Sequence, residues 1–291
     1  MRPTAKSLIL DLLSTLRRDA LPVRALVSAG SLFDLTGNGI RVALARLLQA
    51  GLVERDERGL YRLAGAAEAI NRETTSWRTR SLGIRSWQGG WIAVLVPPSV
   101  VASARVLARR RRALAFLGMR ELQPGLYLRP DNLPGGIPAA RERLAELGLD
   151  PGCGVAALDD LDGATETRAR NLWDVGDIRA GYRRTTATLD ASRERLPHLP
   201  REEAMVESFL LGGSGIRQVV FDPLLPEEMV PAAERLALTE AMRRYDRAGR
   251  QCWSSFMREF GASDLRTPAR LGIVDGEGRL AIPGEHAPEM T

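Results

Sequence analysis

Along the first 65 residues the apolar positions follow a helical period through three segments and then change to a period of two. Between residues 5 and 19, Leu8, Ile9, Leu12, Leu13 and Leu16 recur at helical spacing on one face. Pro22 is suited to open a second helix, because its missing N–H is not needed in a first turn. That helix runs to about Phe33 and buries Val23, Leu26 and Val27. The stretch Asp34-Leu35-Thr36-Gly37-Asn38-Gly39 reads as a tight turn, since Gly and Asn accept positive φ. A third helix follows from about Asn38 to Ala50, with Gly51 placed to cap its C-terminus. The period then drops to two. Leu52–Arg55 and Leu60–Leu63 alternate like strands and bracket Asp56-Glu57-Arg58-Gly59, a hairpin turn. Helix, helix, turn, helix and hairpin, in that order, predict a winged helix-turn-helix over residues 1–70.

After a polar connector over 71–90, Trp91–Val96 reads as a buried strand stopped by Pro97-Pro98. A helix from about Ser99 to Leu117 has Val100, Ala104, Leu107, Leu114 and Leu117 as its inner stripe. Strands are expected at 119–123, Gly125–Arg129 and Val155–Leu158, with a helix at Ala139–Leu147. The order β-α-β-β-α-β over 91–165 predicts a ferredoxin-like sandwich. From 170 to 291 the pattern is helical: Leu172–Leu196, Arg201–Val220 and Pro231–Phe260. Phe221–Pro226 interrupts that series, Gly212-Gly213-Ser214-Gly215 reads as a helix break, and the last 25 or so residues as partly loose. The predicted class is a multidomain α+β chain: winged helix-turn-helix, central ferredoxin-like α/β sandwich, helical C-terminal domain.

A length of 291 residues fits two or three such domains. No run approaches the roughly 20 apolar residues that span a bilayer, and the start of the chain lacks the pattern of a signal peptide. The two cysteines, Cys153 and Cys252, show no pairing pattern, which suits a reducing cytoplasm. The net charge of +5 matters less than its placement. Residues 1–80 hold 13 Lys/Arg against 8 Asp/Glu, whereas residues 81–291 hold 28 of each. A phosphate-binding segment has this balance, and so does chance clustering in a basic protein.

The third helix separates these readings further. Ile40, Ala43, Leu44 and Leu47 face the core; Asn38, Val42, Ala45 and Gln49 lie opposite, flanked by Arg41 and Arg46. Small central residues let a helix sink into a groove, and arginines beside them reach phosphates or the O6 and N7 of guanine. Asn38 and Gln49 are further base readers, and Arg55 and Arg58 would hold the wing on the backbone. The partner so predicted is a double-stranded DNA operator, palindromic and bound by a homodimer. The alternative is a three-helix module with a hairpin that binds protein.

Three stretches together resemble the PaaX family of bacterial transcriptional repressors, named for control of phenylacetic acid degradation. They are Gly39–Leu47, then Trp87-Gln88-Gly89-Gly90-Trp91, then a C-terminal part with Leu172-Trp173-Asp174-Val175, Tyr182, Arg217 and Asp222–Pro226. The resemblance spans roughly residues 5–250. It implies a winged helix, a central domain similar to CRISPR-associated endoribonucleases, and a helical C-terminal domain. It also implies dimeric operator binding relieved by an aromatic acyl-CoA such as phenylacetyl-CoA. The sequence departs from the family pattern in its short wing without a basic Gly-Arg-x-Ser tip, and in lacking Asp-Trp-Pro-Gly after Val230-Pro231.

For such an effector, Arg105, Arg109 and Arg112 share a helical face suited to phosphates, and Trp173, Tyr182 and Arg217 are candidates to line an acyl pocket. The plainer readings are a solvated face for the arginine run and core packing for the aromatics. No catalytic residue, metal or cofactor is expected. The two histidines, His198 and His286, lack metal-ligand spacing, and Gly212–Gly215 lacks the Lys-Ser/Thr of a phosphate loop. Asp159, Asp160 and Asp162 read as a solvated strand-end loop. A metal-dependent nuclease built on the central domain is the rival function, but its first strand ends Leu95-Val96-Pro97-Pro98 without a carboxylate. A protein–protein adaptor is the other.

Overall fold

The computed structural model describes residues 2–14, 20–65, 77, 83–98 and 103–261. The expected loose C-terminus, most of the 71–90 connector, Leu16 and Val100 fall outside the described residues. The chain is mixed α/β and mostly helical, with two antiparallel sheets among the described residues and a helical C-terminal region. It forms two compact units. Unit 1 comprises Met1–Arg78, Thr185–Val219 and Leu238–Thr291; unit 2 comprises Thr79–Arg184 and Val220–Ala237. These limits do not follow the boundaries read from sequence, because segments distant in the chain share each core.

Unit 1 begins with α1 (Ala5–Ser14). Thr4 and Ser7 cap it reciprocally: Ser7 N–H donates to Thr4 Oγ1 at 3.1 Å and Thr4 N–H to Ser7 Oγ at 3.0 Å. The helix is buried on more than one stripe, Asp11 included. β1 (Leu21–Pro22) leads into α2 (Val23–Ser31), with Pro22 just ahead of its first turn. α3 spans Gly37–Gln49 and is followed by β2 (Val53–Arg55) and β3 (Leu60–Leu63). The sheet order is β1-β3-β2, with Leu21 opposite Tyr61 and Val53 opposite Leu63. Two residues of β1 are too few to show a period, so pattern alone does not find that strand.

The turn between α2 and α3 differs from its sequence reading. The left-handed residue is Asp34, at φ 61°, and its neighbour Leu35 donates back to Gly30 O at 3.0 Å. That closes the C-terminus of α2. Gly37 and Gly39 then belong to the first turn of α3. Gly30 is needed for a different reason: a Cβ there would lie 2.8 Å from Ile40 Cγ1, so its absence lets α2 and α3 approach.

The apolar core of unit 1 continues into the C-terminal helices. Leu26, Ile40, Leu44 and Leu47 share one cluster with Met205 and Phe209 of α8 (Arg201–Val220) and Trp253 and Phe256 of α9 (Ala232–Glu259). Residues Gly212–Gly215 do not break α8, which runs straight through them. At Gly215 the lack of a side chain lets other helices come close. A Cβ on Gly215 would sit 2.6 Å from Met242 Sδ and 3.2 Å from Leu189 Cδ1.

Unit 2 contains β4 (Trp91–Leu95), α4 (Ala104–Phe116), β5 (Arg120–Gln123), β6 (Leu126–Pro130), α5 (Gly136–Glu146) and β7 (Gly154–Leu158). The sheet order is β5-β6-β4-β7, antiparallel throughout. Central β4 pairs along its whole length on both sides, and Trp91–Val94 are buried on both faces of the sheet, which accounts for their unbroken apolar run. On α4 the inner stripe is shifted from expectation. Ala104 and Leu107 are exposed, while Ala113, Leu114, Phe116 and Leu117 are buried. Helical periodicity gives the direction of a stripe but not how far neighbouring elements cover it.

Then α6 (Gly163–Arg170) and α7 (Val175–Arg195) follow, the latter running into a short 3-10 turn, Leu196–His198. No helix among the described residues is long and apolar enough to cross a membrane.

Candidate nucleic-acid interface

The surface of α3 is fixed from both ends. Thr36 Oγ1 accepts from Gly39 N–H at 3.1 Å and starts the helix. At the other end Gly51, at φ 65°, donates to Leu48 O and Leu52 N–H reaches Leu47 O, both at 3.0 Å. That pair of bonds is a Schellman closure. Burial of Ile40, Leu44 and Leu47 sets the rotation of the helix. The opposite side must then face outward, and it does. Asn38, Arg41, Val42, Ala45, Arg46 and Gln49 are all exposed. From Asn38 to Gln49 they cover about 16 Å of helix, at roughly 1.5 Å per residue.

The hairpin beside α3 is also locally determined. Asp56 Oδ1 accepts from the backbone N–H of Arg58 and of Leu60, both at 2.9 Å, and Gly59 supplies φ 79°. The Arg55 guanidinium lies over the Tyr61 ring, 5.7 Å from its centroid, and Arg58 projects at the exposed tip. Arg62 is bound to Glu54 across the two strands, and Arg2 to Asp34. By contrast, no carboxylate among the described residues pairs with Arg41, Arg46 or Arg58. Among the described residues, then, these exposed arginines have no counter-charge. Arg24, exposed on α2 with its guanidinium 5.8 Å from the centroid of Phe260, is a further cation that helical pattern does not single out.

The residues proposed for an acyl-CoA are not gathered in this way. In unit 2, Trp173 is 3% exposed, donates its indole N–H to Gly118 O at 3.1 Å, and stacks on Trp91 with planes 7° apart. Tyr182 is 1% exposed; burial first, and then the Asp222 carboxylate, drive its hydroxyl well above the usual tyrosine range. Both are core residues, as packing alone would have them. The arginine run is not a solvated face. Arg109 is exposed, but Arg112 is buried, and Arg110 is buried against Asp150 at 2.7 Å. Arg105 lies in α4, and its side chain is outside the described residues. Arg217, half-buried on α8, belongs to unit 1 rather than to the unit that holds the others.

Asp159, Asp160 and Asp162 are exposed after β7, as a strand-end loop requires, and Asp162 caps α6 by accepting from Ala164 and Thr165 N–H. That capped helix escapes a reading of apolar period, because its sequence has hardly any apolar residues. No group of metal-ligating side chains occurs among the described residues.

The chain is similar in fold to the uncharacterized protein Rv0674 from Mycobacterium tuberculosis. The two are 25% identical, with a TM-score of 0.53 over 84% of this chain and 98% of that one. No protein-family model and no curated protein matches the chain.

Proposed function

We propose that the protein is a DNA-binding transcription regulator whose first 65 residues form a winged helix-turn-helix, with α3 as recognition helix and the β2–β3 hairpin as wing. The observation that carries the reading is the outer face of α3: six exposed residues in register, with Arg41 and Arg46 paired to no carboxylate among the described residues. The face is polar at its ends and small at its centre, which suits a helix seated in a major groove about 12 Å wide. In this reading Arg58 at the hairpin tip and Arg55 behind it contact the DNA backbone.

The strand order β5-β6-β4-β7 with two intervening helices supports a ferredoxin-like central domain. In this reading the protein acts as a homodimer on a palindromic operator, since two half-sites multiply the discrimination of one short helix. It is a binding protein rather than an enzyme. Repression relieved by an aromatic acyl-CoA rests on the PaaX resemblance alone; Trp173 and Tyr182 are occupied by core packing and lend it no support.

Selection of bound duplexes from a random library by the full-length protein tests the reading. Enrichment of a two-fold symmetric sequence, bound in preference to random DNA at moderate salt, is expected. Failure to enrich any sequence would remove the regulator proposal.

A further inference from the structure

Val42 is 42% exposed, and it is the exposed large hydrophobic side chain of unit 1 among the described residues. The part of Val42 that faces water contributes nothing to the core. A β-branched residue is a mediocre helix former, and its apolar surface gains nothing while it faces water. Its neighbours on the face are of another kind. Asn38 and Arg46 lie one turn away on either side, Arg41 is adjacent, and Gln49 is two turns on. All four carry hydrogen-bond donors. Ala45, three residues on and exposed, lets a surface come close to Val42 from that side.

A partner for this face must therefore be hydrogen-bonding over most of its area and apolar at one central spot. The floor of the major groove is such a surface, and its one apolar feature is the 5-methyl group of thymine. We propose that Val42, together with Ala45, reads a thymine methyl near the middle of each half-site. This rests on the DNA-binding reading and goes further, by naming a base and the side chain that selects it.

Deoxyuridine in place of thymine removes only the methyl and keeps every hydrogen-bonding group. The test uses the selected duplex, with each thymine replaced in turn, symmetrically in both half-sites. Full-length wild type and Val42→Ala are titrated by fluorescence anisotropy. Burial of one methyl corresponds to about a fourfold change in affinity per half-site. Wild type is expected to lose that much per half-site, about sixteenfold for the symmetric duplex, at one thymine position. Val42→Ala should bind the thymine duplex with a similar loss and then be indifferent to uracil there. Gln49→Ala should keep the full sensitivity to uracil. Equal thermal midpoints would show that Val42→Ala is folded. Specific binding with no uracil-sensitive position, or with a sensitivity that Val42→Ala retains, overturns this inference and leaves DNA binding standing. Absence of any selected duplex overturns the DNA-binding reading itself.

Discussion

Phe33 and Phe209 lie with ring centroids 5.0 Å apart and planes tilted by 56°. One closes α2 and the other sits on α8, so the N-terminal helices share their core with helices formed from the far end of the chain. Phe209 in turn meets Trp253 at 5.9 Å. Phe209→Ala should cost about 3–5 kcal/mol, the usual loss for a large aromatic removed from a core. A fragment of residues 1–70 should lack a cooperative transition in urea, because it leaves the face against α8 and α9 uncovered. A cooperatively folding fragment would show the N-terminal part to be independent.

Arg41 and Arg46 make no ion pair among the described residues, so their loss should leave stability unchanged. Arg41→Ala and Arg46→Ala should each weaken binding to the selected duplex by about 1–3 kcal/mol if they contact bases. Arg58→Ala, which would remove the proposed contact to the DNA backbone, should instead weaken all sequences alike and reduce the salt slope by about one. Titrations at several salt concentrations separate the two behaviours. Wild-type affinity in both α3 variants would mean that α3 is not the reading helix.

Arg110 and Asp150 form an ion pair with side chains 9% and 14% exposed. Asp150→Asn leaves a buried guanidinium without its counter-charge and should cost about 3–5 kcal/mol. Replacing both by Leu should restore much of that loss, because the desolvation of two charges is avoided. Urea midpoints of the single and double variants check this. A negligible effect of Asp150→Asn would show that water reaches the pair.

Glu234 accepts from Arg179 at 2.9 and 3.1 Å and from Arg183 at 2.7 Å. Hydrogen bonding from Arg179 leads the causes that hold its carboxyl down at about 2, from an ordinary 4.5. A carboxyl lowered on folding contributes stability above its unfolded pKa and loses it as pH falls through the folded one. The difference in urea midpoint between wild type and Glu234→Gln should therefore be full above pH 4.5 and shrink toward pH 2. A difference that stays constant across that range would assign the effect to packing.

Trp173 stacks on Trp91, and Trp87 meets the same Trp91 edge-on at 5.0 Å. Trp173→Ala should lower the unfolding free energy by about 3–5 kcal/mol. Denaturant unfolding followed by far-UV circular dichroism gives the value. Unchanged stability would return Trp173 to the candidates for a ligand contact.

The sequence by itself determined the elements whose period is local. α2, α3 and the hairpin follow from spacing, from Pro22, Gly51 and Gly59, and from the side preferences of Ile40, Leu44 and Leu47. So does the outward face of α3, because fixing one side of a helix fixes the other at 100° per residue. The strand and helix order of the central part was legible for the same reason. What pattern could not supply was whatever depends on contact between distant segments. It cannot show that the helix runs through Gly212–Gly215 and that Gly215 is a place of close approach rather than a break, since the reason lies in Met242 and Leu189. Nor can it show that Arg110 and Arg112 turn inward while Arg109 stays out, or that Trp173 and Tyr182 spend their surfaces on Trp91, Gly118 and Asp222. Only the tertiary structure assigns partners across long separations, and partners decide whether an arginine or an aromatic is free to bind something else. The exposed cations of α3 lie at the other limit. Their freedom follows from a helix whose apolar side is already fully occupied.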